Sequence, residues 1–138
     1  MSLYAIDAIQ IIIAALRGDA DVSALTDTIA ASLAPQASQM PYLVVSVASD
    51  AARHSLCRAV VGGTTYVSVR AVAASVAQAK ALADAACAAL AGEEIEGEGG
   101  TKYGVSYRSA FSYPDPAQTG GTPPQHVGAI YAVTYQPV

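Results

Sequence analysis

His54 and His126 are the only histidines and Cys57 and Cys87 the only cysteines in this chain. A protein-bound zinc needs thiolate or imidazole ligands at short, fixed spacings, and no Cys/His pair here has one. His54 follows Arg53 in an expected loop and His126 ends a longer one, so both read as exposed residues. Cys57 on an expected strand and Cys87 on the inner side of an expected helix read as small buried hydrophobes rather than nucleophiles. There is no Gly-x-Ser-x-Gly elbow and no Walker loop. Gly97-Glu98-Gly99-Gly100 has the glycines of a phosphate cradle, but such a loop ends a strand and opens a helix whose amides face the anion. Here a helix precedes the glycines, a strand follows, and Glu93, Glu94, Glu96 and Glu98 would repel phosphate. These residue types predict no catalytic residue, no metal and no cofactor.

Those glutamates have two open readings. If residues 94–98 are extended, Glu94, Glu96 and Glu98 point the same way. They then either solvate a hairpin tip or, repeated around an oligomer, form an acidic ring. The ordered ligand spacing of a calcium loop is missing.

The elements that would position these groups can be read from periodicity. Leu3, Ile6, Ile9, Ile13 and Leu16 form an apolar stripe on a helix from about Leu3 to Arg17, stopped by Gly18. Asp21 offers a cap for a short turn that points Val22 and Leu25 inward. Residues 28–33 suit a brief strand, and residues 41–47, β-branched and aromatic behind Pro41, suit another. Gly62-Gly63 can adopt the positive φ of a primed turn, which predicts a hairpin of 55–61 with 64–72. That register sets Val60 against Thr65, Arg58 against Val67 and Leu56 against Val69, on the face expected to take the helices. The other face, with Tyr66 and Arg70, suits contact with a neighbouring subunit or an ordinary half-wet surface. Ser75 and Gln78 fit a capping box for an alanine-rich helix that ends at Gly92. Its inner side is expected to hold Val76, Ala79, Ala83, Ala86, Cys87 and Leu90. Tyr103, Val105, Tyr107, Phe111 and Tyr113 alternate as in a strand, and Val127, Ala129, Tyr131, Val133 and Tyr135 form its antiparallel partner. Between them residues 114–125 form a Pro/Gly/Thr-rich connection longer than the usual ~4–6 residues, which marks it as functional or disordered. Six of the nine aromatics follow residue 100, so this last hairpin supplies most large side chains for a core or an interface.

A chain of 138 residues reads as one domain, residues 1–138. Only 13% of it is charged, about half the usual share, so part of its surface is expected to be covered by other subunits. A net charge of −4 argues against a protein that grips nucleic acid by neutralising phosphates. Neither a membrane span nor a signal peptide is expected, and two cysteines suggest a reducing compartment.

The order of features resembles the tail terminator (tail-completion) family of long-tailed bacteriophages and prophages. The resemblance rests on Asp21-Val22-Ser23-Ala24-Leu25, Ala34-Pro35-Gln36 leading into Pro41-Tyr42-Leu43-Val44-Val45, the glycine-linked hairpin, Tyr66-Val67-Ser68-Val69-Arg70-Ala71, and the helix ending Ala88-Ala89-Leu90-Ala91-Gly92. It implies an α+β fold with two main helices on one face of a mostly antiparallel sheet of about four to five strands. It also implies a structural protein of the virion tail, made in the host cytoplasm, and not an enzyme. Its partners would be itself, as a ring of about six, the tail-tube protein and the head-tail connector, with DNA passing through the lumen without tight binding. On this view the ring ends tube polymerisation and permits head-tail joining; Tyr66, Arg70, Asp115 and Gln118 meet neighbours, and Glu94, Glu96 and Glu98 form the acidic patch. The alternatives are a head-completion or minor tail protein of the same fold, or a small ligand-binding or enzymatic module. The module would show itself by glutamates converging with His54, His126 or Arg108.

Overall fold

A computed structural model describes residues 3–26, 28–31, 40–54, 60–97, 100–114 and 124–136. The chain order is α1 (Leu3–Arg17), α2 (Ala20–Leu25), β1 (Ile29–Ala31), β2 (Tyr42–His54), β3 (Val60–Ala73), α3 (Val76–Leu90), β4 (Glu94–Glu96), β5 (Lys102–Pro114) and β6 (Gln125–Gln136). The strands form one sheet ordered β1-β2-β3-β6-β5-β4, parallel at β1–β2 and antiparallel elsewhere. It curls into a half-barrel, and the protein is mostly strand. This overturns the expected two-helix layer on four to five strands. β1 lies within the brief strand expected at residues 28–33, whereas β4, three residues long and as polar as a turn at Glu94-Ile95-Glu96, shows no period.

The expected glycine turn is also overturned. Gly62 and Gly63 sit inside β3, opposite Arg53 and Ala52, because β2 runs on to His54. Val60 pairs with His54, Thr65 with Asp50, Val67 with Val47 and Val69 with Val45. Residues 55–59, with Leu56, Cys57 and Arg58, lie outside the described residues. Gly62 has a φ of 153° beside a register shift at Arg53/His54, where β3 carries one extra residue. Side-chain parity nevertheless holds: Thr65, Val67, Val69 and Ala71 are buried in the core and Tyr66, Ser68 and Arg70 are half-buried on the far face.

Each helix forms where expected but turns its face slightly. α1 buries Ala8, Ile9, Ile12 and Leu16, with Ile12 in the position expected of Ile13. α2 is capped by Asp19, not Asp21: its carboxylate accepts from the amides of Asp21 and Val22 at 3.0 and 3.1 Å. Val22 is fully buried, while Leu25 is exposed. The Thr26 hydroxyl then donates to the Pro41 carbonyl at 2.7 Å, tying the end of α2 to the start of β2. α3 is capped by the Ser75 hydroxyl accepting from the Gln78 amide, and Gly92 follows with a left-handed φ of 77°. Its core side is Ala79, Leu82, Ala86 and Leu90, so Val76 is half-exposed. The core closes on Tyr103, Tyr131 and Tyr135, three of the six late aromatics. Among the described residues no helix is long and apolar enough to cross a membrane.

Candidate functional site

The face of the sheet away from the helices is shaped by an irregularity in β5. Tyr103, Val105 and Tyr107 oppose Tyr135, Val133 and Tyr131 on the helical face, but the register shifts between Tyr107 and Ser109, leaving Arg108 as an extra residue. Parity reverses beyond such a bulge. Ala110 and Ser112 therefore take the helical side, and Phe111 and Tyr113 join the open face opposite Gly128 and His126.

There they build a row of rings and cations across β3, β6 and β5. Arg70, Gly128 and Phe111 are register neighbours, and Val72, His126 and Tyr113 form the next row. Gly128 makes this possible: a Cβ there would stand 2.7 Å from Phe111 Cζ and 2.4 Å from the Val69 carbonyl oxygen. Tyr113 stacks on His126 with centroids 4.7 Å apart at 9°, and on Phe111 at 6.0 Å and 24°. Arg70 Nη1 donates to Tyr113 Oη at 3.2 Å, and Arg70 Nε is buried with no acceptor among the described residues. Arg108 lies over the Tyr66 ring, its Cζ 5.9 Å from the centroid, within cation–π range.

The structure thus brings the expected Tyr66 and Arg70 onto one surface and adds Arg108, Phe111, Tyr113 and His126. A strict two-residue period hides that set, because one inserted residue reverses the alternation. His126 is buried within β6 and His54 ends β2, so neither sits in the exposed loop expected of it. Glu94 and Glu96 are exposed and project together, with Ile95 half-buried between them. They pair opposite Gly104 and Lys102, whereas His126 pairs opposite Tyr113. That separates the carboxylates from the imidazole by roughly 30 Å along β5. Asp115, Gln118 and Glu98 lie outside the described residues. Among the described residues no three His, Cys, Asp or Glu side chains gather as a metal site would require.

On the helical face, a groove of about 630 Å³ runs between α3 and the second half of β5. Val76, Ala83 and Cys87 line one wall, and Tyr107, Ala110 and Val127 the other. Val76 and Tyr107 are 50% and 48% exposed, large for apolar side chains beside a core. Beneath them Tyr131 packs edge-on to Tyr107 with centroids 6.2 Å apart. Burial, reinforced by a hydrogen bond with Cys87, pushes the Tyr131 phenol far above its ordinary range.

No curated protein matches the chain in sequence. Its fold is similar to that of a chain in the virion of a native gene transfer agent particle, with a TM-score of 0.74, 18% identity and 99% of each chain covered. At that identity the likeness is one of fold. The family model described as tail completion protein gp17 matches residues 10–122, most of the length of the sheet and helices described above. The chain belongs to the tail completion protein gp17 family.

Proposed function

We propose that this chain closes into a ring at the head-proximal end of the tail tube, ends tube polymerisation there and offers the surface on which the head connector docks. Membership in a tail completion family makes it a structural phage tail protein; the ring, its place and its partners are the reading advanced here. The observation that carries this reading is the open sheet face. Tyr66, Arg70, Arg108, Phe111 and Tyr113 form a set of rings and cations on it, with Arg108 and Tyr113 exposed. Aromatic and arginine side chains in that arrangement are what protein interfaces concentrate. Asp115 and Gln118 would extend the surface from the long loop. Glu94, Glu96 and Glu98 would form the acidic patch past which DNA slides, since like charge keeps a polyanion from adhering.

Light scattering of the purified chain, alone and with tail-tube protein, tests the reading. The expected result is a closed oligomer alone or on tubes, and loss of tail joining in an Arg70→Ala/Tyr113→Ala double variant that remains folded. A monomer at every concentration, also in the presence of tubes, would refute it.

A further inference from the structure

Among the described residues, the two edges of the sheet are only partly paired. β1 pairs with only residues 43–45 of β2, and β4 with only residues 102–104 of β5. The backbone at 92–93 holds Val105, whose N–H and C=O both turn outward to it. Beyond these points, among the described residues, nothing pairs with the outer edge of residues 46–54 or of residues 106–114. Alternation identifies the groups concerned. Past Val105, Tyr107 faces outward, and past the bulge so do Ala110 and Ser112. On β2, Leu43 donates outward to Thr28, so Val45 and Val47 face the same way, and past the shift between Val47 and Ser49 so do Asp50 and Ala52.

Long unpaired edges are templates for another strand, and proteins that stay monomeric guard them with charge, proline or a covering element. Residues 106–114 carry Arg108 as their one charge and proline only at Pro114. The edge also borders the groove between α3 and β5, where an added strand would lay alternate side chains against Val76 and Tyr107.

We propose that residues 106–114 of one copy pair edge to edge with residues 46–54 of the next, so that the half-barrels of successive copies join in one sheet. This rests on the ring reading above and names the contact that closes the ring. The occupant is a second copy because the missing edge is on the same chain. Both free segments have nine residues, β2 runs antiparallel to β5 within the sheet, and the segments lie about five rows apart along the strands, so a copy placed by rotation about an axis to which the strands are tilted, as barrel strands are, presents β2 to β5 in the antiparallel sense. The two edges are unlike, and unlike edges joined head to tail close when the rotation closes. The area is adequate: nine residues at ~3.4 Å make a strip of about 30 Å, which at roughly 20 Å width, groove wall included, buries about 600 Å² per partner. Counted over both partners that is about 1,200 Å², the lower end of the range for specific interfaces, and ring closure engages two such contacts on every member.

Proline removes one outward N–H without touching the pairing inside the sheet, and edge strands tolerate it. Ser112→Pro breaks the β5 edge and Ala52→Pro the β2 edge; Ala110→Pro and Asp50→Pro repeat the test should either fail to fold. Circular dichroism and thermal melts establish folding, and native mass spectrometry, alone and on tail tubes, reads assembly. The expected result is a wild-type ring, two folded monomers, and a dimer when the two variants are mixed at the highest soluble concentration, because each retains the edge the other lacks. Rings formed by both single variants would overturn the edge contact and leave the ring reading standing. Variants that form no dimer on mixing, or that close rings and lose only tube binding, would likewise overturn the second copy as occupant. A wild-type monomer under all conditions would remove the ring reading itself.

Discussion

Replacing Gly128 by alanine tests the register of the sheet at its most crowded point. The added Cβ would stand 2.4 Å from the Val69 carbonyl oxygen, 2.9 Å from Arg70 Cα and 2.7 Å from Phe111 Cζ. The ring can swing aside, but the two β3 backbone atoms can retreat only if β3 and β6 part locally. Overpacking of this kind costs about 1–3 kcal/mol, and each ladder hydrogen bond lengthened past use adds about 1. Gly128→Ala is therefore expected to lose roughly 3 kcal/mol. For a domain of this size that lowers Tm by about 10 °C, at roughly 3–4 °C per kcal/mol. Gly104→Ala is the control: its Cβ would meet only Thr134 Oγ1 at 3.2 Å, which can turn aside at the loss of one exposed 3.4 Å hydrogen bond to the Gly104 carbonyl, so its Tm should move by about 2 °C or less. Differential scanning calorimetry at neutral pH compares the three proteins. Equal Tm values for Gly128→Ala and wild type would mean that Arg70, Gly128 and Phe111 are not register neighbours, and the ring row described above would fall with that result.

Two further outcomes follow from the packing. Leu82→Ala empties a core position that is 1% exposed and should cost about 2–4 kcal/mol, whereas Val76→Ala, at a half-exposed position, should cost well under 1; denaturant titration of both variants decides which side of α3 faces the sheet. Tyr131 has a raised pKa in the fold against 10.0 unfolded, so its contribution to stability is complete below pH 10 and is lost as pH rises above it, when the unfolded chain releases a proton that the folded chain retains. Alkaline melts should show wild type losing stability above pH 10 more steeply than Tyr131→Phe; parallel curves would show that the phenol ionises freely in the fold.

Where one residue type dominates a face, the sequence was legible. The span of α1, the Ser75 cap, the left-handed Gly92 and the antiparallel pairing of β5 with β6 all follow from local chemistry, and local chemistry is what a sequence displays. The parity of β3 was likewise readable, because Val67, Val69 and Ala71 alternate with Tyr66, Ser68 and Arg70 whatever strand lies beside them. What could not be read was which strand that is. Gly62-Gly63 offers the backbone freedom of a turn, yet the chain uses it inside β3, where a register shift needs it. The turn signal and the bulge signal are the same residue. α3 shows a different ambiguity: in a helix built largely of alanine, a small rotation about its axis changes little buried area, so the inner side is set by where Leu82 and Leu90 find room.

Two of the three inserted residues explain why the surface proposed for assembly is the part least visible in the chain. Ala48 on β2 and Arg108 on β5 both adjoin the row Val47–Val67–Tyr131–Tyr107, one on each side of it. A bulge bends its strand and increases the local twist, so two of them flanking one row make that row a fold line for the half-barrel. β1 pairs with β2 before that line and β4 with β5 before it, and neither continues past it. The same insertion that bends β5 also turns Phe111 and Tyr113 onto the open face, so a single residue, Arg108, separates the part of the strand that belongs to the core from the part proposed to meet a partner. No composition or period encodes that division. It arises from pairing between strands distant in sequence, and only the assembled sheet displays it.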